Sequence, residues 1–168
     1  MTPPNEPANA THERPHTESS YGIPDDEEGL LPWAFVADRL RENRNFWVST
    51  TLPDGGPHAR PVWGVYVERT FYCGGGERTR WVRNLEADPR VVVHSESGDE
   101  VVILEGQVER VDEGTATQER IERVNAAYER KYGVEHGTPL FAVRPERVLA
   151  WNEYPTDATR WTFAERGV

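Results

Sequence analysis

The sequence predicts a mainly β, α+β domain: an antiparallel barrel of six or seven short strands with a few flanking helices. Three observations predict it. Two β-rich runs flank an Asp-Gly turn, a second strand pair flanks "SGD", and helical apolar spacing recurs in only three places. A chain of 168 residues is also the length of one domain with a buried core.

Residues 1–22 are rich in Pro, Asn, Thr and Glu, with too little apolar surface to offset the entropy of ordering. Residues 1–22 are therefore expected to be dispensable, and with the acidic "DDEE" that follows, residues 1–29 are expected to be a disordered acidic tail ahead of the domain at 30–168. In "LLPWAFVADRLREN", Trp33, Val36, Ala37 and Leu40 stand at helical spacing, and Pro32 suits a first turn. "NFWVSTTL" and "HARPVWGVYV", joined by "PDGGP", form a hairpin, and "RTFYCG" continues it as a third strand.

From Thr79 to Ala87, the spacing of Trp81, Val82 and Leu85 suits a short helix stopped by Pro89. "RVVVHSE" and "EVVILEGQVERV" make the second strand pair. Residues 115–132 form a helix whose Ile121, Val124, Ala127 and Tyr128 lie on one stripe. "PLFAVRPERVLAWNEY" reads as a strand bent or interrupted at Pro145, and "ATRWTF" as a short last segment.

The net charge is −10, of which residues 1–29, with seven acids and one arginine, supply −6. Neither part carries the basic surplus that sequence-independent nucleic-acid binding needs. No apolar run approaches the ~20 residues of a membrane span, and the first residues lack the pattern of a secretory signal. Cys73 is the single cysteine, which excludes an intramolecular disulfide and suits a reducing, cytoplasmic location. Lys131 is the one lysine among nineteen basic residues.

The stretch "GGGERTRWVRNL", residues 74–85, is the strongest chemical signal. A mobile glycine loop enters a helix near Thr79, whose hydroxyl is placed to cap it. The free N–H groups of a helix start, with Arg78, Arg80 or Arg83 beside them, favour an anion. The loop carries neither the Gly-Lys-Ser/Thr of a Walker motif nor the dinucleotide Gly-x-Gly-x-x-Gly. The strand "ARPVWGVYV" is apolar on both faces, Val62 and Tyr66 on one, Trp63, Val65 and Val67 on the other. It therefore needs cover from the core and from a dimer partner or a flat cofactor.

The histidines at 12, 16, 58, 94 and 136 show no metal-ligand spacing, so no metal is expected. His58 and His94 read as polar strand residues and Cys73 as a buried thiol. No nucleophile elbow or paired catalytic carboxylates stand out. Any chemistry is then carried by a cofactor.

From Leu31 to Phe163, the strand, Asp-Gly turn, Arg-x-Val strand, Arg-Asn-Leu helix and "VVILEG" strongly resemble the pyridoxamine 5'-phosphate oxidase-like family of FMN-binding split barrels. The chain is most similar to its flavin/deazaflavin oxidoreductase branch. The resemblance implies a split barrel and a homodimer with two cofactor sites at the subunit interface. It implies that Arg60, Pro61, Val62, Trp63, Gly64 and Val65 line the ring of the cofactor, with Tyr72 and Cys73 in contact. Thr79 and Arg80 match the Ser-Arg pair that holds the phosphate, next to Trp81 and Asn84. Arg160 and Trp161 would reach the partner's site.

The departures are specific. Trp81 stands where many relatives have a phosphate-binding lysine; it can stack on a ring, stack on a guanidinium, or pack with Leu85 one turn on. Val101 replaces a glutamine of the classical oxidases, and their substrate-binding Arg/His segment is not recognisable, so that specific activity is not expected. The reading that follows is an oxidoreductase using coenzyme F-420 or FMN to pass hydride to a small organic substrate. The alternatives are a flavin- or haem-binding dimer without turnover, and a dimer whose cofactor site is degenerate.

Overall fold

The computed structural model describes residues 6–164. Nine strands and three helices follow one another in a mostly antiparallel, β-rich α+β fold. They are β1 (Ala10–Glu13), α1 (Trp33–Glu42), β2 (Phe46–Thr51), β3 (Pro57–Val62), β4 (Gly64–Val67) and β5 (Thr70–Gly74). There follow α2 (Arg80–Ala87), β6 (Arg90–Ser95), β7 (Val101–Val111), α3 (Gln118–Tyr132), β8 (Leu140–Trp151) and β9 (Thr159–Phe163).

The strands pair along the path β1-β9-β8-β7-β6-β2-β3, with β5 on β8 and β4 on β5. Strand β8 closes the barrel because it changes neighbours along its length. Leu140–Val143 pair with β5, and Arg147–Ala150 pair with β9, while β7 lies along the other edge throughout. The switch falls at a register shift where Gly106 faces Pro145. A Cβ on Gly106 would sit 2.1 Å from the carbonyl oxygen of Arg144, so the close approach at this bulge requires glycine. This is the bend the sequence places at Pro145. Between β3 and β4 no pairing exists, and the barrel is split there.

The alternating inward residues of the strands, Phe46, Val48, Val62, Phe71, Cys73, Val91, Val93, Val102, Leu104, Phe141 and Val143, form the main core with α1 and α2. Helix α3 covers the opposite side of β4, β5 and β8 with Ile121, Val124, Ala127 and Tyr128, packed with Val65, Tyr72 and Ala142. No helix among the described residues is long and apolar enough to cross a membrane.

Two expectations are corrected. The single strand expected over residues 60–67 is two strands, broken at Trp63, and the chain itself covers both faces of the second. Val65 is buried under α3, and the hydroxyl of Tyr66 accepts a hydrogen bond from Trp33 Nε1 at 3.1 Å. The corner is pinned by α3: Lys131 Nζ and the Tyr132 hydroxyl donate to the carbonyl of Gly64 at 2.7 and 2.9 Å, and the Gly64 N–H donates back to Tyr132 at 3.0 Å. Burial there pushes the Lys131 ammonium down to about 8. The strand's two apolar faces therefore do not by themselves demand a partner.

The second correction concerns the tail expected over 1–29. Residues 1–5 lie outside the described residues, but β1 pairs with β9 from Ala10↔Phe163 to Glu13↔Arg160. Arg14 is buried, and its guanidinium donates to the carbonyls of Asp26 (2.8 Å), Thr156 (2.8 Å), Ala158 (3.2 Å) and Glu28. The Glu6 carboxylate accepts from the Trp33 N–H at 2.6 Å and from Trp161 Nε1 at 2.8 Å. His12 stacks on Trp161 at 5.1 Å and donates to the carbonyl of Leu31. The segment docks by charge-assisted hydrogen bonds to particular buried groups, which a tally of apolar surface does not register.

Candidate functional site

The glycine loop does lead into a helix start. Thr79 occupies the N-cap position of α2 with extended backbone angles, but its side chain does not cap. Its hydroxyl turns back to donate to the carbonyl of Gly76 at 2.7 Å. The N–H groups of Arg80, Trp81 and Val82 consequently have no acceptor among the described residues; the first bond of the helix is Arg83 N–H to the carbonyl of Thr79, at 3.2 Å. Three unspent donors and the positive end of the helix dipole face the same way.

The surroundings sort charge in favour of an anion. Arg78, Arg80 and Arg83 are exposed and form no ion pair among the described residues, whereas the neighbouring Glu77 and Glu86 are both engaged by Arg110. Across from the helix, His58 and Arg60 project from β3. Burial, with the Arg60 and Arg80 cations nearby, holds the His58 imidazole below its ordinary value, so it is neutral near pH 7. Both His58 ring nitrogens are enclosed without a partner, and so is the Asn84 carboxamide oxygen, while Asn84 Nδ2 donates to Thr50 Oγ1 at 3.0 Å. Thr50 and His58 face one another across β2 and β3. Unpaired polar atoms in so covered a place mark a seat for a further polar group.

At the other end of β3 lies a groove of about 350 Å³ lined by Asn45, Pro61, Val62, Trp63, Gly74 and His136. Trp63 is exposed along one side and stacks on Tyr132 at 4.5 Å, with the Arg44 guanidinium 5.2 Å above its ring. His136 rests on Gly74, where a Cβ would come within 2.4 Å of its ring. The uncapped helix start and the groove thus lie toward the two ends of a single strand.

The structure brings together only some of the expected site residues. Arg60, Pro61, Trp63, Thr79 and Arg80 are exposed along this strip, and Val62 and Gly64 supply its wall and corner. Asn84 lies beneath it. The others are enclosed in the chain's own core. Val65 and Tyr72 are under α3, with the Tyr72 hydroxyl accepting from Arg120 Nε at 3.1 Å. Cys73 is inside the barrel, and burial pushes its thiol up to about 12. Their side chains therefore do not present a contact surface to a cofactor.

Trp81 is 6% exposed, meets Phe141 edge-on at 5.7 Å, and lies so close beneath Gly75 that a Cβ there would be 2.3 Å from its ring. Of its three readings, packing holds, although against Phe141 and Gly75 from inside the barrel. Trp161 is fully buried between His12 and Trp33, and Arg160 pairs with Glu13 at 2.7 Å, so neither extends away from its own chain toward a second site. Sequence reasoning passed over His136 and gave His58 no role at the seat. The cross-strand position of His58 opposite a buried threonine was the available signal.

A family model described as pyridoxamine 5'-phosphate oxidase matches residues 33–152. No curated protein matches the chain significantly. Among solved structures, a conserved hypothetical protein from Mycobacterium tuberculosis is similar at a TM-score of 0.63 and 22% identity, over 77% of this chain and 89% of that one. The heme storage protein HutZ from Vibrio cholerae is similar at 0.57 and 17%, over 68% and 91%. An F420 reductase is similar at 0.51 and 20%, over 66% and 93%. At these identities, the structures establish a shared fold.

Proposed function

Since the chain belongs to the pyridoxamine 5'-phosphate oxidase family, we propose that it is an oxidoreductase that holds FMN or the deazaflavin F-420 along β3 and reduces a small organic substrate. The observation that carries this reading is the uncapped start of α2, with three N–H groups and an Arg80 that have no partner among the described residues. It supports a phosphate at that end. Arg60 stands opposite, and Pro61, Val62 and Trp63 give an apolar wall on which a flat ring could lie. When bound, such a ring supplies the hydride chemistry, so the chain needs to bind, orient and keep water away. Arg80 and the helix start fix the phosphate, and the strip then sets where the ring lies.

The reading includes a homodimer in the cytoplasm. Its support is the outer face of the sheet, where Trp47 is cross-strand from Pro61 and His94, His94 from Ile103, and Ile103 from Leu149. This row, apolar apart from His94, carries the exposed Trp47, and covering it with a second copy would set Trp47 and the Pro61 end of the groove beside a neighbouring chain. Light scattering should give twice the 19.2 kDa of one chain. A monomer that binds cofactor fully would reject the shared site.

The absorption spectrum of the purified protein tests the cofactor. A flavin or deazaflavin spectrum supports the proposal, a sharp Soret band points to a haem carrier without turnover, and no binding of any of these rejects it. In titrations with FMN and F-420, Arg80→Ala removes a charge-assisted contact of on the order of 1.5–3 kcal/mol. Affinity should fall roughly ten- to a hundredfold. An unchanged dissociation constant, with clear binding by the wild type, would mean that the phosphate lies elsewhere.

A further inference from the structure

We propose that Arg110 is the positioning residue of the phosphate seat: it anchors the glycine loop to the barrel so that the start of α2 is presented to the ligand. The inference rests on the phosphate reading of that helix start. Arg110 lies near the end of β7, where that strand pairs with β8 through Arg110↔Phe141 after leaving β6 at Gln107. Each part of its guanidinium meets a different carboxylate. Nη2 donates to Glu77 at 2.6 Å, Nη1 to Glu86 at 2.7 Å, and Nε to Asp112 at 2.7 Å. Glu77 belongs to the loop, Glu86 to the last turn of α2, and Asp112 to the turn after β7. One side chain therefore ties both ends of the loop–helix unit to the sheet.

The rest of the loop is held lightly. Thr79 makes its turn to Gly76, and Gly75 rests on the Trp81 ring. Glu77 sits between these two supports, and the contact with Arg110 is its ion pair. The clamp has a second effect, since it engages the two acids nearest the seat and leaves Arg78, Arg80 and Arg83 free of ion pairs among the described residues. An isolated exposed ion pair would contribute little. Here one half-buried cation is shared by three acids from three segments, so that releasing it frees all three segments together.

The test uses full-length wild type, Arg110→Met, Glu77→Gln and the double variant. Each is titrated with FMN and with riboflavin, which keeps the ring and lacks the phosphate; a wild type that prefers deazaflavin is titrated with F-420 and its phosphate-free chromophore. The proposal expects Arg110→Met and Glu77→Gln each to weaken the phosphorylated ligand roughly tenfold, and the double variant to be no weaker than Arg110→Met. The phosphate-free ligand should bind all four alike.

If Arg110 only cancels the charge of Glu77, Glu77→Gln will bind as well as wild type and will restore the double variant, which overturns the clamp. Equal losses of both ligands would indicate general damage and also overturn it. A wild type that does not prefer the phosphorylated ligand defeats the phosphate reading and the clamp together. A wild type that prefers it, with Arg110→Met keeping the full preference, defeats the clamp alone.

Discussion

A chain shortened to begin at Pro15 should melt roughly 10–20 °C below the full-length protein, at the ~2–4 °C per kcal/mol typical of this size. The shortening strips Glu6 from two buried donors, the Trp33 N–H and the Trp161 indole, and Arg14 from four backbone carbonyls. A buried polar group left unsatisfied costs about 1–3 kcal/mol. Some of these groups will regain water once β9 becomes an edge, so a total of on the order of 4–6 kcal/mol is expected. Arg14→Met separates the anchor from the strand, because it keeps β1 and the side-chain bulk while removing the donors. It should account for about 3 kcal/mol of the loss. Calorimetry of the three proteins measures this directly. Equal melting temperatures would show that the segment contributes nothing to the fold in solution.

Trp81→Lys should destabilise the protein by about 4 kcal/mol or more and should not improve FMN binding. Relatives with a lysine at this position suggest the opposite, that the change repairs a missing cation. The indole, however, points into the barrel against Phe141 and beneath Gly75, while the seat is formed by backbone N–H groups of the helix start and by exposed arginines. A lysine there would either bury an ammonium or leave a cavity and drag the helix start outward. Trp81→Phe, which keeps an apolar ring, should lose less than half as much. Chemical denaturation gives the stabilities, and FMN titration of the same samples gives the affinities. A Trp81→Lys protein as stable as wild type, with tighter FMN binding, would show that the indole faces the ligand.

What could be read from the sequence was what local spacing encodes. The three helices and the hairpins follow from apolar periodicity and from Asp-Gly and Ser-Gly-Asp turns, and Thr79 was recognisable as the residue before α2. What escaped depends on contacts distant in the chain. The break at Trp63 is made by Lys131 and Tyr132, 67 and 68 residues beyond Gly64. Arg110 reaches Glu86 and Glu77 across 24 and 33 residues, so no motif contains the group. At Trp81, helical spacing predicts burial and the family pattern predicts a ligand contact, and only the packing of the barrel decides between them.

Strand β3 ends the hydrogen-bonded path of the sheet, so its outer rim would ordinarily invite another strand to join. Pro57 and Pro61 lie opposite Thr51 and Trp47, positions where β3 turns its backbone groups outward, and neither proline has an N–H to offer. Between them, the outward carbonyl of Ala59 already accepts from Arg60 Nη1 at 2.7 Å. The rim is chemically blunted: an incoming strand would find Ala59 as its single outward N–H and an acceptor that is taken. Runaway polymerisation through this edge is thereby discouraged, although Trp47 and Trp63 stay uncovered beside it. In the homodimer proposed above, contact would instead fall on the broad side of the sheet, where a pairing of two copies closes on itself.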